Sequence, residues 1–144
     1  MIASALLVRP ALAQISAGDA ALAEKLFDDA RQLMAKKAYP EACPKLAESE
    51  RLDPGVGTLL NLGDCYEKSG KVASAWATYR EAEGASVRDG QKKRATFAAS
   101  RAKALEPSLP YLVIEMPANV GASVTCDGKA VGATSLGTPM PFDA

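Results

Sequence analysis

Residues 58–83 read TLLNLGDCYEKSGKVASAWATYREAE, and their spacing sets the fold. Leu62, Gly63 and Tyr66 recur at helical intervals, then "SGK" interrupts, with Gly70 suited to a left-handed stop. Ala75, Tyr79 and Ala82 continue at helical spacing on the far side. The stretch therefore predicts two helices, 57–68 and 72–84, joined by a tight turn. Moving outward by 33 residues finds the same pattern upstream: Ala30 for Gly63, Leu33 for Tyr66, Ala42 for Ala75, Leu46 for Tyr79 and Ser49 for Ala82. Small residues at Ala30/Gly63 and Ala42/Ala75 let antiparallel helices approach closely, while the large ones fill the space between one pair and the next. No unit of this kind buries its own face, so the units must stack.

The flanks extend the reading. Leu22, Leu26, Ala30 and Leu33 mark a first helix from about residue 18. A second runs over 40–52, after the "KKAYP" turn, with Pro40 and Pro44 both suited to its start and "DPG" at 53–55 as its stop. A fifth helix is expected over 88–105, with a stripe of Ala95, Ala98, Ala102 and Leu105 and an end before "EP" at 106–107. Aromatics make up 6% of the chain against 48% hydrophobic residues, so the core must rest on alanine and leucine, which suits closely packed helices.

The stretch AEKLFDDARQLMAKKAYPEACPKLAESERLDP (23–54) and the stretch quoted first both resemble tetratricopeptide repeats, a match over roughly residues 20–86. The second copy carries the family's leucine–glycine pair at Leu62–Gly63, its tyrosine at Tyr66, alanine at Ala75, aromatic at Tyr79 and alanine at Ala82. The first departs at Asp29–Ala30 and at Ser49, and the period is 33 rather than the family's 34. The resemblance implies an α-α superhelix, a solenoid of antiparallel helix pairs, with helix five as a third first-helix or a cap. It also implies a concave face that binds extended peptides or partner proteins. By that alignment the face includes Phe27, Arg31, Asn61, Asp64, Glu67, Lys68 and Arg94. Asn61 falls where the family's carboxylate clamps place their central asparagine. Phe27 and Arg31 stand where such a clamp needs lysine and asparagine, which argues against one. The mixed charge suits a polar peptide.

After Pro107 the composition changes: the charged residues are Glu115, Asp127, Lys129 and Asp143 alone. Residues 111–117 read as a strand, 122–132 as a hairpin turning at Asp127–Gly128, and 137–143 as an edge strand, because Pro139 and Pro141 forbid a central one. Val124, Asp127, Gly128, Val131 and Gly132, then Gly137, Thr138, Pro139 and Phe142, resemble the start of a PEGA-type β domain whose later strands are missing, as in a chain cut in mid-domain. Such domains imply a bacterial cell surface and structural or adhesive roles. Helical repeats followed by one resemble exported myxobacterial proteins. So small a β segment is expected to dock on helix five or to stay poorly ordered.

Lys+Arg and Asp+Glu are 17 each, which argues against a general nucleic-acid binder. There is no histidine, which removes His-based acid/base chemistry, Ser-His-Asp and Cys-His nucleophiles and His-containing zinc sites. The carboxylate pairs Asp64/Glu67 and Glu81/Glu83 fit helix salt bridges better than catalysis. The basic run Arg88, Lys92, Lys93, Arg94, Arg101 and Lys103 reads as a solvated face or, alternatively, as an anion or acidic-peptide surface. Of the cysteines, Cys43 and Cys65 lie on helices that should be neighbours, so they read either as a disulfide or as two buried thiols. Cys126 is left free or pairs outside the chain. Residues 1–13, an apolar run ending in "ALA", read as the remnant of a signal peptide or as a lead-in to the first helix. No other segment is long and apolar enough to be a membrane helix.

The expectation is a mainly α protein: a signal remnant at 1–13, a five-helix repeat domain at 14–106 and an incomplete β segment at 107–144. It is expected to need no cofactor or metal and to act without catalysis, as an exported protein-interaction scaffold of the periplasm or cell envelope. Its partner would be a protein or peptide. Alternatives are a structural or adhesive surface component touching cell-wall glycan through the β segment, and a cytoplasmic scaffold.

Overall fold

The computed structural model describes residues 15–116, 123–126 and 128–143; the expected signal segment and Asp127 lie outside the described residues. The described chain is mainly helical. Five α-helices, α1 (Ala17–Ala35), α2 (Tyr39–Leu52), α3 (Val56–Lys68), α4 (Val72–Arg88) and α5 (Lys92–Leu105), pack in consecutive pairs.

Local chemistry explains the boundaries. Ser16 caps α1, its hydroxyl accepting from the Asp19 N–H at 3.0 Å. Three helices then end in the same backbone motif. Ala38 N–H bonds to Leu33 C=O (2.9 Å), Lys71 N–H to Tyr66 C=O (2.9 Å) and Gln91 N–H to Ser86 C=O (2.8 Å). The left-handed residue of each turn is Lys37 (φ 60), Gly70 (φ 81) and Gly90 (φ 70). This six-to-one bond with a left-handed residue is the Schellman stop. It corrects the expected end of the fourth helix. Gly84 lies inside α4, which runs on to Arg88, because Gly90 rather than Gly84 takes the left-handed turn. Arg88 therefore belongs to α4 and not to the basic run of α5. Pro44 is a second correction, since it sits inside α2 while Pro40 is in the first turn.

The joint between α2 and α3 differs from the three tight turns. Asp53, Pro54 and Gly55 separate the helices, and the Glu50 carboxylate accepts from the Gly55 N–H at 3.0 Å. A disulfide between Cys43 and Cys65, with Cα atoms 5.7 Å apart, clamps α2 to α3 across this joint.

The core is built from the positions that repeat at 33 residues. Ala30, Ala42 and Leu46 are fully buried in one cluster with Leu62 and the cystine. In the second pair Gly63 lies under Tyr79, and a Cβ there would stand 2.8 Å from the Tyr79 ring. Ser49 departs from its counterpart Ala82 for a visible reason. Its buried hydroxyl donates to the Ala23 carbonyl of α1 at 2.8 Å. Helix α5 closes the stack with Ala98 against Leu59 and Ala82, and with Ala102 against Ala75 and Tyr79.

Beyond a 3-10 turn at Glu106–Ser108, two small antiparallel ladders follow. Strand β1 (Tyr111–Leu112) pairs with β4 (Met140–Pro141), and β2 (Val124–Cys126) pairs with β3 (Lys129–Val131). Gly128 takes φ 76 in the hairpin turn. Of the strand expected over 111–117, residue 117 lies outside the described residues and only Tyr111–Leu112 pairs among the rest, because its partner β4 contains Pro141 and follows Pro139, neither with an N–H to donate. The segment expected to dock on helix five or stay poorly ordered makes its side-chain hydrogen bonds to the body at another helix. The segment seats Asp143 at the N-terminus of α4, whose free N–H groups attract a carboxylate.

Candidate interaction surfaces

The residues expected on a concave face fall on α1, α3 and α5. On α1, the Arg31 guanidinium lies 5.9 Å from the Phe27 ring centroid, a cation–π pair one helical turn apart. Phe27 is half-buried against the first core cluster, and Arg31 is exposed. Phe27 also lines a cleft of about 200 Å³ with Ala23, Glu24, Ser49, Asp53 and Thr58, large enough for one side chain.

On α3 the candidate residues are already engaged. The Asn61 amide donates to the Gly57 carbonyl at 2.8 Å, one turn back. Lys68 and Asp64 form an ion pair at 2.7 Å, and that hydrogen bond holds the ammonium above its ordinary range. Glu67 does not project as a free charge. It accepts from the Tyr79 hydroxyl at 3.2 Å and from both the Nε and Nη2 of Arg101. Burial, reinforced by the Glu67 charge, pushes the Tyr79 phenol up, so it remains a donor. Glu67 thus ties α3 to α4 and α5. Arg94 stands apart at the start of α5, exposed, donating to Gln91 Oε1 at 2.8 Å.

The structure therefore brings together Phe27 with Arg31, Asp64 with Lys68, and Cys43 with Cys65, and leaves Arg94 separate. On α5, Lys92, Lys93, Arg94 and Lys103 are exposed, whereas Arg101 is spent on Glu67. Of the carboxylate pairs, Asp64 is paired to Lys68, Glu67 to Arg101, and Glu83 to Arg80 at 2.6 Å. Among the described residues no group of three or more Cys, Asp and Glu is placed to hold a metal ion. No described helix is long and apolar enough to cross a membrane.

Three features went unread in the sequence. Glu50 is pushed up to about 7, chiefly by burial, with Glu81 and Asp53 adding and the Gly55 hydrogen bond opposing. A groove of about 460 Å³ runs between the first turn of α2 and the last of α3, lined by Tyr39, Pro40, Pro44 and Tyr66. Asp143 bonds to two backbone N–H groups of α4. The third alone had a sequence signal: Asp143 is one of few charges in a nearly uncharged segment.

What the fold and these surfaces define is a disulfide-clamped body of paired helices with an attached β segment. No protein-family model matches the chain, and a comparison with curated proteins found no match.

Proposed function

We propose that the helical body is a tetratricopeptide-like scaffold that binds a polar peptide or partner protein without catalysing a reaction. The binding face is the one carried by α1, α3 and α5, with Phe27, Arg31 and Arg94 open to a ligand and Asp64 and Lys68 presented to it as an exposed ion pair. One observation carries this reading. The buried small residues recur at 33 residues, Ala30 with Gly63 and Ala42 with Ala75, which is the repeat logic of a stacked helix-pair surface. Asn61 and Glu67 keep the roles the geometry gives them, as a helix-side hydrogen bond and a junction ion pair.

Export to the periplasm or cell envelope belongs to the same proposal. The Cys43–Cys65 disulfide supports it, because such bonds persist in oxidising compartments. A PEGA-like β segment fits that location.

The test places a photo-crosslinking residue at Arg31 and, separately, at Asp64, in cells with an intact envelope. A protein crosslinked at both positions, and lost with Phe27→Ala, is the expected result. Capture on purified sacculi with no protein crosslink at either position overturns the reading in favour of a cell-wall component.

A further inference from the structure

Helices α1 to α4 each carry charges of both signs, whereas α5, KKRATFAASRAKAL, carries positive ones alone. Arg101 reaches across to Glu67, but among the described residues Lys92, Lys93, Arg94 and Lys103 enter no ion pair. Lys92, Lys93 and Arg94 stand in the first turn, the end at which the helix dipole disfavours positive charge. The cluster therefore costs α5 stability. Carboxylates brought by a partner would offset that cost.

The same side of α5 holds the one exposed aromatic of the described helices. Phe97 is 51% exposed and lies one turn beyond Lys93 and Arg94, so the three share a face. Its ring meets the buried Tyr79 edge to face, with centroids 6.5 Å apart. The Tyr79 hydroxyl is held by Glu67, and Glu67 by Arg101, one turn past Phe97 on α5. Phe97 is thus braced on a fixed ring with half of its surface left to solvent. Through Arg101 and Glu67 this side of α5 adjoins α3. A membrane surface would need further apolar side chains beside Phe97, but the neighbouring exposed positions are Thr96 and Ser100.

We propose that the partner of the binding face is an acidic peptide segment, held on α5 with an apolar side chain against Phe97 and carboxylates paired to Lys93 and Arg94. This inference rests on the reading that α1, α3 and α5 carry that face, and it names the ligand's chemistry.

The experiment titrates the full chain into fluorescein-labelled Glu-Glu-Leu-Glu-Glu-amide and follows anisotropy. Wild type should bind this peptide at least tenfold more tightly than Lys-Lys-Leu-Lys-Lys-amide or Glu-Glu-Ser-Glu-Glu-amide, and added salt should weaken the binding. Phe97→Ala should cost about tenfold. The double variant Lys93→Glu, Arg94→Glu should cost as much or more; both side chains are exposed, so it keeps the test alive if Phe97→Ala does not fold. Equal affinity for the three peptides, or no loss in the double variant, overturns the proposal. Sedimentation of the chain with phosphatidylglycerol vesicles, with no peptide binding, overturns it in favour of a membrane surface. The envelope crosslink at Arg31 separates the two proposals. A protein captured there equally by wild type and by the double variant overturns the acidic-peptide inference and leaves the scaffold standing.

Discussion

The two helix pairs solve one packing problem with different volumes. In α1–α2 a small Cβ at Ala30 accompanies Leu46. In α3–α4 the Cβ is absent at Gly63, and the larger Tyr79 moves into the space. Their turns differ in the same sense, with Lys37 strained into the left-handed region where Gly70 sits without penalty. Ser49 adds a bond to α1 that Ala82 does not make. The two pairs thus fill corresponding buried positions with different side chains. The first pair tolerates a costlier turn and gains a buried hydrogen bond, and the cystine joins it to the second.

The largest expected effect concerns the joint between the pairs. Replacing both Cys43 and Cys65 by alanine opens a cross-link spanning 22 residues, and urea unfolding should show about 3 kcal/mol less stability. Next is the volume trade within the second pair. Gly63→Ala drives a methyl into the Tyr79 ring and should cost about 2 kcal/mol. Adding Tyr79→Leu recreates the first pair's combination, so a double-mutant cycle should show the two changes offsetting one another; simple additivity would break the comparison.

Smaller effects follow. Ser49→Ala, which imposes the second pair's residue on the first, should cost about 1 kcal/mol by removing the bond to Ala23 C=O. Glu50 makes the joint sensitive to pH. Its folded carboxyl keeps a proton to about 7, against an ordinary 4.5, so the folded state binds more protons between those values. Its contribution is complete below pH 4.5 and is lost as pH rises through 7. Between pH 5 and 8 the wild type should lose about 1 kcal/mol more than Glu50→Gln, a figure reduced for partial exposure. The smallest change is a gain. Lys37→Gly relieves the left-handed strain and should raise stability by about 0.5 kcal/mol, visible as a higher Tm.

Much of the helical body was legible because its signals are local. Helix spacing, Gly70 as a stop and the 33-residue recurrence need only neighbouring residues to be read. One helix boundary was misread. The reading ended the fourth helix at Gly84 and began the fifth at Arg88, whereas the left-handed turn falls at Gly90. The short β1 shows the same limit, since residues 113–116 read as strand until the proline-bearing partner is known.

The carboxylates mark the boundary between the two sources of information. By sequence alone Glu50, Glu67 and Asp143 are three acids, and periodicity determined which helices would form around the first two. Only the tertiary structure decided that one is buried and holds its proton, one is locked by Arg101 and Tyr79, and one caps a helix 70 residues away. The physical reason is range. Helix propensity and turn geometry act over a few residues, whereas desolvation and charge pairing depend on groups the chain brings together from afar.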